Sequence, residues 1–171
     1  MPGPRICTDI VDVYVFRHDD GQPGHSQAEF LQMKRAANPM AGTWQPVMGH
    51  VEGDESAVDT ALRELAEETG WVTHDGQGGL LALWQLEPIN AYFLVSQDAV
   101  MLSPCFAARV TTDETPVLDA AHDDHRWVPR DQVDRQFLWP GQRQAIEQIV
   151  HDILPADSPV ASHLEIDLTA R

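Results

Sequence analysis

The chain has 171 residues, 43% of them hydrophobic, and a formal charge of −16 with a single lysine, Lys34. Length and apolar fraction fit one globular domain with one core, and no apolar run approaches the roughly 18 residues of a membrane span. The acidic balance argues against a nucleic-acid partner, whose phosphates need Lys and Arg to replace their counterions, but leaves room for an anionic small molecule bridged to the protein by divalent cations.

The opening stretch, residues 1–16, has one arginine and then Asp9 and Asp12 inside its apolar run, a poor signal peptide. Cys7 and Cys105 are far apart and lack C-x-x-C spacing, as expected of free thiols in a cytoplasmic protein. Residues 9–17, DIVDVYVFR, alternate and are rich in β-branched side chains, which predicts a strand. A turn cluster follows at 19–25, and 27–35 reads as the returning strand of a hairpin. Residues 38–49 read as a loop entering a short strand near Trp44–Met48.

The clearest helix spans 54–69. Asp54 and Ser56 are both candidate N-caps, Ala57, Ala61, Leu62, Leu65 and Ala66 recur at helical spacing, and Gly70 is the stop. Strands are expected at 80–87, 91–96 and 104–111, and a strand entering a turn at 125–133. A second helix is expected at 140–154, opened by Pro140 and Gly141 and ended by Pro155. These elements assign residues 1–154 to one domain. Residues 155–171 form a C-terminal extension whose alternation at Leu164, Ile166 and Leu168 suggests an edge strand.

The chemistry concentrates in residues 49–71, GHVEGDESAVDTALRELAEETGW, which carry seven carboxylates. Glu64, Glu67 and Glu68 stand at i, i+3 and i+4 and so share one helix face, away from the apolar stripe. Side by side, acidic groups repel one another unless something offsets the cost. A plain solvated acidic face is one reading. Hard divalent cations, which prefer carboxylate oxygen and keep positions open for water and phosphate, are the other.

Spacing favours the second. Gly49, Glu55, Arg63, Glu64, Leu65, Glu67, Glu68 and Gly70 resemble the Nudix box, G-x5-E-x7-R-E-U-x-E-E-x-G-U with U aliphatic; only Trp71 departs, being aromatic. The element order over roughly 8–154 is also similar to that family. Independently of the resemblance, Gly49 and Gly53 allow tight backbone turns, and Arg63 can fork onto Glu55 to lock loop to helix.

The resemblance implies an α/β fold, an α/β/α sandwich around a mixed sheet. It also implies Mg²⁺ or Mn²⁺ held by Glu64, Glu67 and Glu68 with a carbonyl at Met48 or Gly49, and Arg63 as part of the catalytic set. The implied reaction is hydrolysis of a pyrophosphate bond, NDP-X + H₂O giving NMP + P-X, with Glu64 or Glu68 as candidate base. Trp44, Val47, Gly49, Val51 and Glu52 look like the entry of dihydroneopterin triphosphate/dATP pyrophosphatases, pointing to a nucleoside or pterin triphosphate. Dinucleoside polyphosphates and nucleotide sugars are the alternative substrates, and a non-catalytic nucleotide sensor is the rival from another class. Where many relatives place a Glu before a histidine, this chain has Ala121 before His122, which removes that role or moves it to Glu114, Asp119 or Asp123. Arg35, Trp44 and His50 are candidate substrate contacts. Trp84, Tyr92, Phe93 and Trp139 are further aromatics able to stack on a base. A homodimer is a further expectation.

Overall fold

A computed structural model describes residues 3–18, 28–38, 40–73 and 79–169; the turn cluster expected at 19–25 lies outside them. The strands are β1 (Arg5–Cys7), β2 (Ile10–Arg17), β3 (Glu29–Arg35), β4 (Trp44–Gln45), β5 (Val47–His50), β6 (Leu80–Leu94), β7 (Ala99–Val110) and β8 (His122–Pro129). Helices are α1 (Ala57–Thr69), α2 (Val133–Gln136), α3 (Pro140–Gln148) and α4 (Ala161–Leu164). The strands form one mixed eight-stranded sheet, ordered β1-β7-β2-β3-β4, with β5 paired to β2, β6 to β7 and β8 to β3. β7 runs parallel to β1 and β2; the other pairs are antiparallel.

Strand periodicity divides the core. Val11, Val13 and Val15 of β2 join Leu31, Met33, Val47, Ala61 and Leu65 on the α1 side. Tyr14 and Phe16 join Phe30, Trp84, Ala145, Ile146 and Ile149 on the α3 side. Because β2 is buried on both faces, its alternation is between two cores rather than between core and water. Trp71, the aromatic in an aliphatic slot, is buried on the α1 side with its ring 6.1 Å from that of Trp127.

α1 begins later than its acidic lead-in suggests. Ser56, not Asp54, is the N-cap: its Oγ accepts from the Asp59 N–H, and Asp59 accepts from the Ser56 N–H, a reciprocal box. Gly70 closes the helix at φ 78°, in the left-handed region that a Cβ disfavours.

Four elements differ from their expected form. The strands expected at 80–87 and 91–96 are one strand, and Pro88, the apparent break, falls where the register to β7 shifts between Gln85 and Ile89. β7 starts at Ala99 rather than 104, and β1, too short to show alternation, pairs with its first residues. Residues 140–154 are helical throughout but finish in a wider π turn over Ile149–Ile153, where the Leu154 N–H donates to the Ile149 carbonyl at 2.9 Å. The C-terminal extension makes a single bridge, Trp84 to Glu165, rather than a ladder; Ile166 donates to the Leu83 carbonyl at 2.8 Å, and Ile166 and Leu168 pack on the α1-side core.

Candidate active site

The site is the seam between β5 and α1. β5 lies beside β2 in register Val11↔Gly49 and Asp12↔Met48, which turns Gly49 toward α1. A Cβ built on Gly49 would lie 1.8 Å from Glu64 Oε1, so the carboxylate occupies the space that only glycine leaves open. Gly49 is not among the residues with positive φ, whereas Gly53 is, at 55°. Of the two glycines expected to ease tight turning, Gly53 supplies conformation and Gly49 supplies room.

Arg63 organises the acidic face. Its Nε and Nη2 fork onto Glu55 at 2.8 and 3.1 Å, the pairing expected from the spacing. Nη1 donates to Glu64 Oε1 at 2.8 Å and to Glu67 Oε2 at 3.1 Å, and Nη2 also donates to the His50 carbonyl at 2.7 Å. One guanidinium thus ties the loop, β5 and two turns of α1 together. The fork holds the Glu55 carboxyl down near 2 and raises the Arg63 guanidinium further.

The three helix carboxylates are not equivalent. Glu64 and Glu68 are buried, at 9% and 7% exposure. Glu67 keeps 58% of its side chain exposed. Burial raises the Glu64 carboxyl above its usual range against the pull of Arg63. Burial, then the charge of Glu64, pushes Glu68 up to about 8; the Met48 N–H at 3.3 Å, and after it the charge of Arg35, oppose the rise. Glu68 is therefore a buried carboxyl with little positive charge close by.

Behind Glu68 lies a pair that the sequence did not single out as a unit. His122, buried at the start of β8, has Nδ1 2.9 Å from Asp119 Oδ1 and Nε2 3.2 Å from Gln45 Nε2. An amide nitrogen can only donate, so His122 Nε2 accepts and the ring proton sits on Nδ1, facing Asp119. Its Nε2 is 3.9 Å from Glu68 Oε1, outside hydrogen-bond reach. Of the three acids weighed for the role lost at Ala121, Asp119 is the one in contact with His122 and electrostatically coupled to Glu68.

The candidate substrate contacts separate. Arg35, paired with His122 across β3 and β8, faces the cluster, and its Nε is buried without a hydrogen-bond partner among the described residues. Trp44 lies under the Arg126 guanidinium, 4.2 Å from ring to Cζ. His50 contributes its carbonyl to Arg63 while its ring turns to Asp9, 3.2 Å from the Asp9 carbonyl. Trp84 is core, whereas Tyr92, Phe93 and Trp139 are exposed.

The donor set suits a hard divalent cation. Glu64, Glu67 and Glu68 offer only oxygen, the His50 carbonyl of β5 meets the guanidinium that holds two of them, and Glu68 is buried with the charge of Arg35 only partly opposing its rise. Among the described residues no three acidic, histidine or cysteine side chains already converge as a metal shell. Arg63 holds one oxygen of Glu64 and one of Glu67, which leaves the second oxygen of each carboxylate for a cation.

The family description NUDIX domain matches residues 9–149. Phosphatase NudJ of Escherichia coli strain K12 is 44% identical over 46 residues, covering 27% of this chain and only 29% of that protein. In structure, the chain is similar to the dihydroneopterin triphosphate pyrophosphohydrolase of E. coli, with TM-score 0.66 and 21% identity over 88% of this chain and 99% of that one. It is also similar to an Ap4A hydrolase of C. elegans, with TM-score 0.65 and 17% identity over 85% and 96% of the two chains.

Proposed function

The chain belongs to the NUDIX domain family, and from that premise we propose that it is a divalent-metal-dependent hydrolase of a pyrophosphate bond in a nucleoside or pterin triphosphate. The observation that carries this reading is the buried pair Glu64 and Glu68, facing β5 at Gly49 with Arg63 committed to Glu55. A carboxyl raised to about 8 by burial and by a neighbouring carboxylate is an unfavourable anion in isolation, and a ligand cation reverses that balance. Mg²⁺ or Mn²⁺, held by Glu64, Glu67, Glu68 and a β5 carbonyl, would neutralise phosphate charge and acidify a bound water.

The chain's own residues divide the remaining work. Arg63 fixes the loop at Glu55 and the β5 carbonyl at His50, so the carboxylates are presented from a rigid frame. Glu64 and Glu68 are the candidates to take the proton of the attacking water, since they are the two buried carboxyls of the acidic face. Asp119 fixes the tautomer of His122, which backs Glu68 from the β8 side. Arg35, whose buried Nε has no hydrogen-bond partner among the described residues, would donate to a phosphate oxygen. Small-molecule triphosphates fit better than a polyanionic chain because the molecule carries −16 with one lysine.

The test is phosphate and pyrophosphate release with Mg²⁺ or Mn²⁺ across nucleoside triphosphates, dihydroneopterin triphosphate, diadenosine polyphosphates and nucleotide sugars. Turnover confined to triphosphates supports the reading. Turnover confined to dinucleoside polyphosphates or nucleotide sugars moves the substrate, and tight binding with no turnover identifies a sensor.

A further inference from the structure

β6 is an outer strand of the sheet, and its ladder is with β7. Its two halves are finished differently. Along the first half the chain covers its own edge: the Ile166 N–H donates to the Leu83 carbonyl at 2.8 Å, Trp84 bridges Glu165, and the Glu87 N–H donates to Gln148 Oε1 at 2.9 Å. Past Pro88 and the register shift, residues 89–94 have no such cover; among the described residues no segment other than β7 pairs with them. Edge strands of monomers are blunted by charge, proline or a bulge. Residues 89–97, INAYFLVSQ, carry no charge and no proline, in a chain of net charge −16.

The direction of the free backbone groups follows from the far side of β7. Arg5 is the register partner of Ala99, and its N–H donates to the Asp98 carbonyl at 3.1 Å. In a parallel ladder that turns the even-numbered residues at this end of β7 toward β1 and the odd-numbered ones toward β6. Ala99, Met101 and Ser103 therefore bond Leu94, Tyr92 and Asn90, and Ile89, Ala91 and Phe93 aim their N–H and C=O groups outward. Pro104, which has no N–H, stands opposite Ile89, where none is needed. The side chains around this edge are apolar. Ile89, Tyr92, Phe93 and Val95 are 50%, 41%, 51% and 79% exposed, and Ile6, 70% exposed, lies in one row with Val100 and Phe93 across three strands. At these exposures they present roughly 600 Å² of apolar surface, the upper end of what a monomer leaves in one patch and near the roughly 800 Å² that a standard interface takes from each partner.

We propose that the chain forms a two-fold dimer in which residues 89–93 of β6 pair antiparallel with the same residues of a second copy, centred on Ala91. The open edge is complementary to itself. Ile89 of one copy meets Phe93 of the other, and Ala91 meets Ala91, whose small side chains let the strands close. The charges at its two ends are complementary as well. Glu87 marks one end, and at the other Arg5 Nη2 rests on Gln97 Oε1 at 2.9 Å. The register centred on Ala91 sets Glu87 opposite Val95, so the carboxylate of each copy approaches the Arg5 end of its partner, twice over by symmetry. The proposal is independent of the chemistry assigned to α1.

Sedimentation velocity of the full chain from about 0.1 to 100 µM tests it, and a species of twice the chain mass with Kd in the micromolar range or tighter is expected. Ala91→Pro deletes an outward N–H without touching the β7 ladder, and Phe93→Lys plants a charge on the edge; each should raise Kd at least about tenfold with the circular dichroism spectrum preserved. Arg5→Glu should weaken the dimer by about tenfold by facing Glu87 with a like charge, and adding Glu87→Arg should restore it. If Ala91→Pro fails to fold, Phe93→Lys and the charge swap decide. A wild-type chain that stays monomeric throughout overturns the proposal, whatever other strand the edge takes. So does a dimer indifferent to Phe93→Lys, or a charge-swapped double variant no tighter than Arg5→Glu.

Discussion

Two polar clusters lie on opposite faces of the same sheet, and they are built differently. Around Arg63 every donor is spent: Glu55, Glu64, Glu67 and the His50 carbonyl take its N–H groups at 2.7–3.1 Å. Around Asp12, two acceptor oxygens, Asp12 Oδ1 and Asn90 Oδ1, and the Ser103 hydroxyl stay buried without partners among the described residues. The first cluster is a frame that holds its own geometry, with one carboxyl, Glu68, left short of positive charge. The second is incomplete by its own hydrogen-bond count. A satisfied network stabilises the fold, whereas an unsatisfied one costs stability. Substitutions in the two places should therefore differ in kind.

The largest effect is expected at Glu68. Glu68→Gln keeps the shape and removes the charge, so turnover should fall by roughly 10²–10⁴ while the melting temperature holds or rises; normal kcat would remove Glu68 from the chemistry. Gly49→Ala should come next. Its methyl would displace the flexible end of Glu64 rather than backbone, so activity should drop by roughly 10² with the fold intact, measured as kcat/KM alongside circular dichroism. An unchanged kcat/KM would mean that the position of Glu64 does not matter.

Arg63→Lys tests the frame. A lysine cannot fork onto Glu55 and reach Glu64 and Glu67 together, so unfolding free energy should fall by about 1–3 kcal/mol, read by urea titration. A change near zero would show that the network is ornamental.

The pH dependence carries a sign for each carboxyl. Glu68, raised to about 8 from an ordinary 4.5, keeps a proton in the folded state that the unfolded chain has lost. Its contribution therefore falls as pH rises from about 4.5 to 8. Glu55, held near 2, contributes above 4.5 and loses that contribution as pH falls toward 2. With chelator present, stability should decline between pH 5 and 8, and Mn²⁺ should flatten the decline; a flat profile without metal would contradict the buried-carboxyl account. The smallest effect is at the second cluster. Asp12, raised from 3.8 to about 6 chiefly by burial, costs stability progressively as pH rises from about 3.8 to 6. Asp12→Asn should thus raise the melting temperature slightly above pH 6 and lose that gain as pH falls below about 4, read by thermal melts across pH; a gain that does not change with pH would contradict the buried-carboxyl account.

The sequence made some of this legible and hid the rest for identifiable reasons. β2 and α1 were readable because β-branched alternation and helical spacing are local signals, and the Arg63–Glu55 fork was readable because both ends lie in one motif. Residues 80–94 looked like two strands because Pro88 breaks the pattern, yet a register shift absorbs it without ending the strand. The space-filling role of Gly49 needs the Glu64 side chain in place. Asp119 with His122, and Asp12 with Asn90, are separated in the chain or hidden in ordinary strands, and only the folded sheet brings each pair together.

The central claim is that Glu64, Glu67 and Glu68 exist to hold divalent cations. Calorimetric titration of Mn²⁺ and Mg²⁺ into the wild-type chain and Glu68→Gln at neutral pH, with and without nucleotide, tests it most directly. Saturable uptake by the wild type, accompanied by proton release and weakened strongly in Glu68→Gln, is the predicted result. No uptake in any condition, or equal uptake by both proteins, would contradict the claim.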